Sequence, residues 1–298
     1  MNRNITLPFK NPTIDGWMEA YERKLPTGVK AAGWFIQSYF RERGIEYPQY
    51  RWIQLELSYP AFHHFAFAYK GNIYSVLFEF VNHDGNHVRE QDIENQLREC
   101  RENDLVACTL PMDYETYEPL VGGTHLISTL TREPVDFSSR QGNIPMSPWE
   151  INNFGIDIVK SRLKEEGKTI LSFCDVLGVE PNIWFEDELG RRSYVIVKTI
   201  SGNTSEAVDY RLNQQLLLRF LKYEGYFAEV YAYPSDAIVY DREGNEVPQS
   251  QRGSRTNPKE ILFRDHVFDV DFEGLKLIER KAAGNGVVDK PIFMIREE

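Results

Sequence analysis

Residues 181–233 constrain this chain more than any other stretch, because they hold a complete supersecondary pattern and a diverged form of it stands earlier in the sequence. Residues 182–186 and 193–199 are short runs of aromatic and β-branched side chains, joined by the polar turn 187–192 around Gly190. Such side chains fit a pleated, half-buried surface, so the pair predicts a hairpin. After Ser201-Gly202-Asn203, the residues Val208, Leu212, Leu216 and Phe220 recur every four positions, flanked by Leu217 and Leu221 and closed by Gly225. That spacing predicts a helix with one buried face. Residues 227–233 then alternate as far as Pro234, which predicts a strand covered on one side by that helix.

The earlier form begins with residues 63–70, the pair Gly71-Asn72 and residues 73–81, a hairpin whose two-residue loop calls for residues tolerant of positive φ. A helix follows with Ile93, Leu97 and Cys100 at helical spacing, and then a strand, 105–110, running into Pro111-Met112-Asp113. Placing Gly71 on Gly190 lays Val76-Leu77-Phe78-Glu79 over Val195-Ile196-Val197-Lys198 without a gap. Pro111-Met112-Asp113 then meets Pro234-Ser235-Asp236 after a few extra residues in the second copy. The pattern predicts an internal duplication.

With 298 residues the chain has enough length for two domains with cores of their own. Three cysteines without paired spacing, and no charged-then-apolar leader, point to a reducing, cytoplasmic setting. No apolar run is long enough to span a bilayer, so no membrane role is expected. A formal charge of −11 repels phosphate on average, which argues against a general nucleic-acid coat.

Elsewhere, Asn11-Pro12 opens a helix with Trp17, Met18, Tyr21 and Leu25 that Pro26 stops. A second helix carries Val29, Ala32, Ile36, Tyr39 and Phe40 inward and ends at Gly44, and residues 51–58 alternate as a strand. Residues 124–130 offer an edge strand, and 138–146 a junction. Ser147-Pro148-Trp149-Glu150 joins a capping box to proline at the first helical position, opening a helix with Ile151, Phe154, Ile158 and either Val159 or Leu163 buried. Residues 168–174 read as a strand, 241–259 as a mobile polar loop, 261–272 as a strand, 275–280 as a short helix and 291–295 as a terminal apolar run.

The second half therefore predicts helix, strand, strand, strand, helix, strand. With Pro181-Asn182 opening its second strand and Ile196-Val197-Lys198 closing its third, it resembles the PD-(D/E)XK, or restriction-endonuclease-like, superfamily over residues 147–233, and the first copy does so less fully. The resemblance implies an aspartate on the second strand and an acid two residues before the lysine of the third, together holding a divalent metal that activates water while the lysine assists. The matching positions are Asn182, Ile196 and Lys198, and in the first copy His63, Leu77 and Glu79. Asn182 offers a carbonyl without negative charge and Ile196 offers no ligand atom, so the usual metal site is expected to be weakened or absent. Catalysis would need relocated acids, with Glu186 at the turn end or Asp157 on the preceding helix joining Lys198. Asn182, Trp184 and Tyr194 are the candidate binding residues.

Other constellations read more plainly as structure. His83 and His87 flank a turn, Asp84-Gly85-Asn86. His64 falls opposite Glu79 if the hairpin alternates as drawn. Asp265, Asp269 and Asp271 form an acidic strip on a late strand, and Cys174 reads as a buried hydrophobe. The expectation is thus an α/β chain of two tandem nuclease-like repeats, 1–142 and 143–298, the second with a C-terminal extension, packed as a pseudo-dimer. Its leading function is non-catalytic binding or scaffolding, without a cofactor, with a protein as one option for the partner. The alternative is a metal-dependent nuclease or phosphodiesterase using Mg2+ or Mn2+. A third is a small-molecule binder built on Trp184, Tyr194, Phe65 and Phe67.

Overall fold

Two mixed sheets carry the chain, one in each of two units, Met1–Ile144 and Pro145–Glu298. The computed structural model describes residues 27–46, 49–54, 64–82, 85–86, 90–113, 115–140, 142–204, 212–235, 260–264, 266–281 and 292–296. The first predicted helix, the His83 and His87 side chains, His63, Asp265, most of the helix around Val208 and the polar loop 241–259 lie outside the described residues.

In the first unit, α1 (Thr27–Arg41) presents Ala32, Ile36 and Phe40 to the core at helical spacing. Gly44, at φ +66°, turns the chain out of it, and Ile45 N–H reaches back to the Phe40 carbonyl. Strands β1 (Tyr50–Gln54), β2 (His64–Tyr69) and β3 (Asn72–Asn82) pair antiparallel in sequence, and the short β4 (Gly85–Asn86) folds back on β3. Helix α2 (Glu90–Asn103) then carries the chain over to β5 (Val106–Asp113), which lies parallel to β3, and β6 (Ile127–Ser128) closes the edge antiparallel to β5. Phe40, Tyr50, Phe67, Tyr69, Tyr74 and Phe137 interlock at centroid distances of 4.0–6.2 Å to form the core. Such pairs each add roughly 0.5–1.5 kcal/mol beyond the area they bury.

The β2–β3 loop sits one residue earlier than the sequence suggests. Lys70 (φ 51°) and Gly71 (φ 74°) are its two central residues, and Asn72 already pairs with Tyr69. Gly71 is also held by space, since a Cβ there would lie 2.9 Å from the Arg140 carbonyl oxygen. The register pairs His64 with Leu77, so His64 does not oppose Glu79. Glu79 is buried and ion-paired with Arg132 instead.

In the second unit, α3 (Pro148–Glu165) starts with the expected capping box: Ser147 Oγ accepts the Glu150 N–H at 3.2 Å and Glu150 accepts the Ser147 N–H at 2.8 Å. Glu150 does more than cap. Arg264 grips both its carboxylate oxygens at 2.7–3.1 Å, and both side chains are buried. Ile151, Ile156, Val159 and Leu163 are buried, whereas Phe154 and Ile158 are only half-buried. The helix is rotated because Gly155 meets the sheet, where a Cβ would fall 1.8 Å from Thr199 Oγ1.

Strands β7 (Thr169–Phe173), β8 (Ile183–Glu186) and β9 (Arg192–Ile200) again pair antiparallel in sequence. A single helical turn, α4 (Gln214–Leu217), runs into a 3-10 turn at Leu218–Phe220 and buries Phe220 of the predicted line together with its flanking Leu217, while Leu212 and Leu216 are half-buried. Strand β10 (Glu224–Pro234) lies parallel to β9. Gly225 belongs to this strand rather than to the helix end, because the Tyr194 ring occupies the place of its missing side chain, with the phenol oxygen 2.3 Å from a would-be Cβ. Residues 275–280, predicted as a helix, are part of the long strand β11 (Phe268–Lys281), antiparallel to β10, and β12 (Ile292–Ile295) pairs with its far end. Long-range pairing with β10 and β12 overrides the local helical reading there.

Both sheets thus run antiparallel, antiparallel, parallel, antiparallel along β1-β2-β3-β5-β6 and β7-β8-β9-β10-β11. Cys100, Cys108 and Cys174 are buried thiols outside any disulfide. Burial pushes the Cys100 thiol up to about 12 and raises that of Cys108 as well. Among the described residues, no helix is long and apolar enough to cross a membrane.

Candidate functional site

Strand alternation and the β8–β9 register place Asn182, Trp184 and Glu186 on the same face as Arg192, Tyr194, Ile196 and Lys198. Asn182 enters β8 directly after the cis peptide bond Glu180-Pro181, at a point where the ladder is incomplete. Its side chain completes it. Oδ1 accepts the Val197 N–H at 2.8 Å, and Nδ2 donates to the carbonyls of Cys174 and Val179, each at 3.4 Å. Its main-chain N–H and carbonyl are engaged too, with Val195 and Cys174 at 2.9 and 2.7 Å. Every polar group of this buried residue is therefore committed to holding β7, β8 and β9 together.

Lys198, near the end of β9, forms an ion pair with Glu180, just before Pro181. Both side chains are largely withdrawn from water, at 20% and 14% exposure, so the pair is less screened than a surface bridge. Lys198 is also the register partner of Glu229 on β10, and Glu229 is ion-paired with Lys276 on β11. The charges thus alternate Glu180, Lys198, Glu229, Lys276 across the sheet. Ile196, two residues before Lys198, is fully buried and opposite Phe227.

The other candidates fall elsewhere. Glu186 sits at the turn end of the hairpin, 3.4 Å from Arg192, its cross-strand partner. Six residues of β9 separate that end from Lys198, on the order of 20 Å. Asp157 is on α3, half-exposed and paired with Lys160 at 3.0 Å. Because Gly155 packs α3 on the face that carries Thr199, Asp157 lies on the side away from Lys198. Trp184 and Tyr194 are buried with Phe220 and Tyr223 at centroid distances of 4.9–5.4 Å, so they form the core under the α4 turn. Phe65 and Phe67 are core residues of the first unit.

A divalent cation does not fit the donor set at the Asn182, Ile196 and Lys198 positions: one oxygen is taken by a backbone N–H, one side chain has no donor atom, and the Glu180 carboxylate is ion-paired with the lysine. Among the described residues no three His, Cys, Asp or Glu side chains converge as they would around a metal ion. Glu180 and Glu229 were not singled out from the sequence. A carboxylate inside the apolar run Phe227-Ala228-Glu229-Val230, and another beside Pro181-Asn182, were the available signals.

In the first unit the same register puts His64, rather than His63, at the place of Asn182, and Leu77 and Glu79 at those of Ile196 and Lys198. Pro111, opposite Glu79, stands where Glu229 stands opposite Lys198, so it does not meet Pro234.

Residues 149–278, from the first turn of α3 into β11, match the family model described as "Domain of unknown function (DUF8840)". No curated protein and no solved structure matches the chain.

Proposed function

We propose that the two units are diverged copies of one restriction-endonuclease-like repeat, and that the protein binds or scaffolds rather than cleaves. The shared order of antiparallel and parallel strands, each with its parallel step made through a helical crossover, supports the common origin. What carries the non-catalytic reading is Asn182. Where such a nuclease holds its metal with an aspartate, this side chain spends its oxygen on Val197 N–H and its amide hydrogens on carbonyls. Lys198, the one motif residue retained, has its charge balanced by Glu180.

The test is a calorimetric titration of the full chain with Mg2+ or Mn2+, paired with incubation on DNA and RNA. No saturable heat and no cleavage at millimolar metal are expected. Metal-dependent cleavage that disappears in Lys198→Ala would overturn the reading. If cleavage instead survived Lys198→Ala but vanished in Glu186→Gln or Asp157→Asn, relocated acids would be at work and the nuclease alternative would stand.

A further inference from the structure

The second unit contains a cleft of about 790 Å³ between the C-terminal end of α3 and the starting ends of β9 and β10. That volume lies within the range of small-molecule sites, roughly 300–1,000 Å³. Its position is independent of the Lys198 face. Phe185, Ser193 and Tyr226 line it from the α3 side of the sheet, and Ser193 is five residues from Lys198, on the order of 17 Å along β9.

The charge of this cleft runs against that of the chain. Five basic residues line it against three acidic ones, Glu166, Asp187 and Glu224, in a protein whose formal charge is −11. The acids are already engaged. Glu166 pairs with Arg162 at 2.8 Å and Asp187 with Arg191 at 2.7 Å, while Glu224 accepts the Tyr226 hydroxyl. Arg192 finds its carboxylate in Glu186, outside the lining. Lys168 is left over: it is half-buried, lines the cleft, and makes no ion pair among the described residues. Its backbone N–H closes α3 on the Leu163 carbonyl at 2.9 Å, after Gly167 at φ +77°, so the main chain that carries the ammonium is fixed. Phe185, Tyr226, Phe272 and Leu275 add apolar wall to the same cleft.

A half-buried lysine without an ion-pair partner among the described residues, in a cleft with aromatic walls, suits a ligand with an anionic head on a flat or apolar body. We propose that this cleft binds a small organic phosphate, with Lys168 meeting the phosphate and the Tyr226 and Phe272 walls holding the body. The proposal does not depend on the nuclease-like ancestry or on the state of the Lys198 face.

Calorimetry of the full chain with adenosine monophosphate, inorganic phosphate and adenosine as separate probes tests it. Adenosine monophosphate should bind more tightly than either fragment, weaken about tenfold in Lys168→Met and further in Lys168→Glu, and keep its affinity in Lys198→Met. Because Lys168 is half-exposed at a helix end, both variants should keep the parent far-UV dichroism. Absence of saturable heat with all three probes up to about 10 mM, or affinity unchanged in Lys168→Glu, overturns the site. Equal affinity for inorganic phosphate and adenosine monophosphate overturns the role given to the aromatic walls. Metal-dependent cleavage lost in Lys198→Ala would bear only on the preceding proposal.

Discussion

At the same point of its sheet the first unit carries Glu79 and the second Lys198, two opposite charges on strands that otherwise match residue for residue in character, Val-Leu-Phe against Val-Ile-Val. Each unit sets an opposite charge against it, Arg132 beyond β6 in the first and Glu180 before β8 in the second. A charge on a buried strand can thus be kept with either sign when the neutralising residue comes from a loop at that strand's end. The crossovers differ more. In the first unit α2 is a 14-residue helix tied down by Gln96, which donates to the Ser75 and Cys108 carbonyls at 2.9 Å and accepts from Thr129. In the second, the described part of the crossover is short, and Trp184, Tyr194, Phe220 and Tyr223 fill the space with rings.

The contrast breaks most sharply at Glu150 and Arg264, a fully buried pair described only in the second unit. Arg264→Leu alone leaves a carboxylate in the interior and should cost about 3–5 kcal/mol, whereas Glu150→Gln combined with Arg264→Leu should recover a large part of that. Urea unfolding followed by tryptophan fluorescence, with Trp149 and Trp184 in this unit, measures both; a double variant no better than Arg264→Leu would show the interior was never charged. A smaller effect separates the polar fasteners. Gln96→Ala in the first unit and Asn182→Ala in the second each strand buried backbone groups and should each cost about 1–3 kcal/mol. A neutral Asn182→Ala would remove the argument that this amide is spent on structure, and would reopen its face for ligand binding.

The smallest expected difference is in acid. Asp113 in the first unit and Asp187 in the second both lie below the ordinary carboxylate range, Asp113 chiefly through the Thr116 N–H and then that of Glu115, Asp187 through the Arg191 N–H and then its side chain. A folded-state value below the unfolded one means the stabilisation is complete above about pH 4 and is lost as pH falls through the folded value. The melting-temperature gap between parent and Asp187→Asn or Asp113→Asn should therefore narrow below about pH 4. A gap that stays constant down to about pH 2 would mean the hydrogen bonds do not favour the ionised form.

Much of the scaffold was legible because it is written in local signals. The capping box at Ser147 and the hairpin flanking Gly190 each need only a few neighbouring residues, and each is found. The strand over 227–233 is found too, but it is buried on both faces rather than alternating, because elements on either side cover it. Failures came where distant residues decide. Residues 275–280 read as a short helix yet become strand, since β10 pairs with 275–277 and β12 with 278–280. Gly225 looks like a helix stop but is required by Tyr194, thirty-one positions away. The site was half legible for the same reason. Asn182, Ile196 and Lys198 are where the strands put them, but Glu180 as the partner of Lys198, and the cleft around Lys168, arise only once β8, β9, β10 and α3 are assembled.

The three sealed thiols give this molecule a clock. A thiol out of contact with solvent, as all three are, reacts with an alkylating reagent only after the structure around it opens, and burial further holds Cys100 and Cys108 protonated. Cys100 and Cys108 report on the first unit and Cys174 on the second, so peptide-resolved alkylation times each half in one undivided chain, without an introduced label. Two rates would reveal halves that open independently, and one shared rate a chain that opens as a whole.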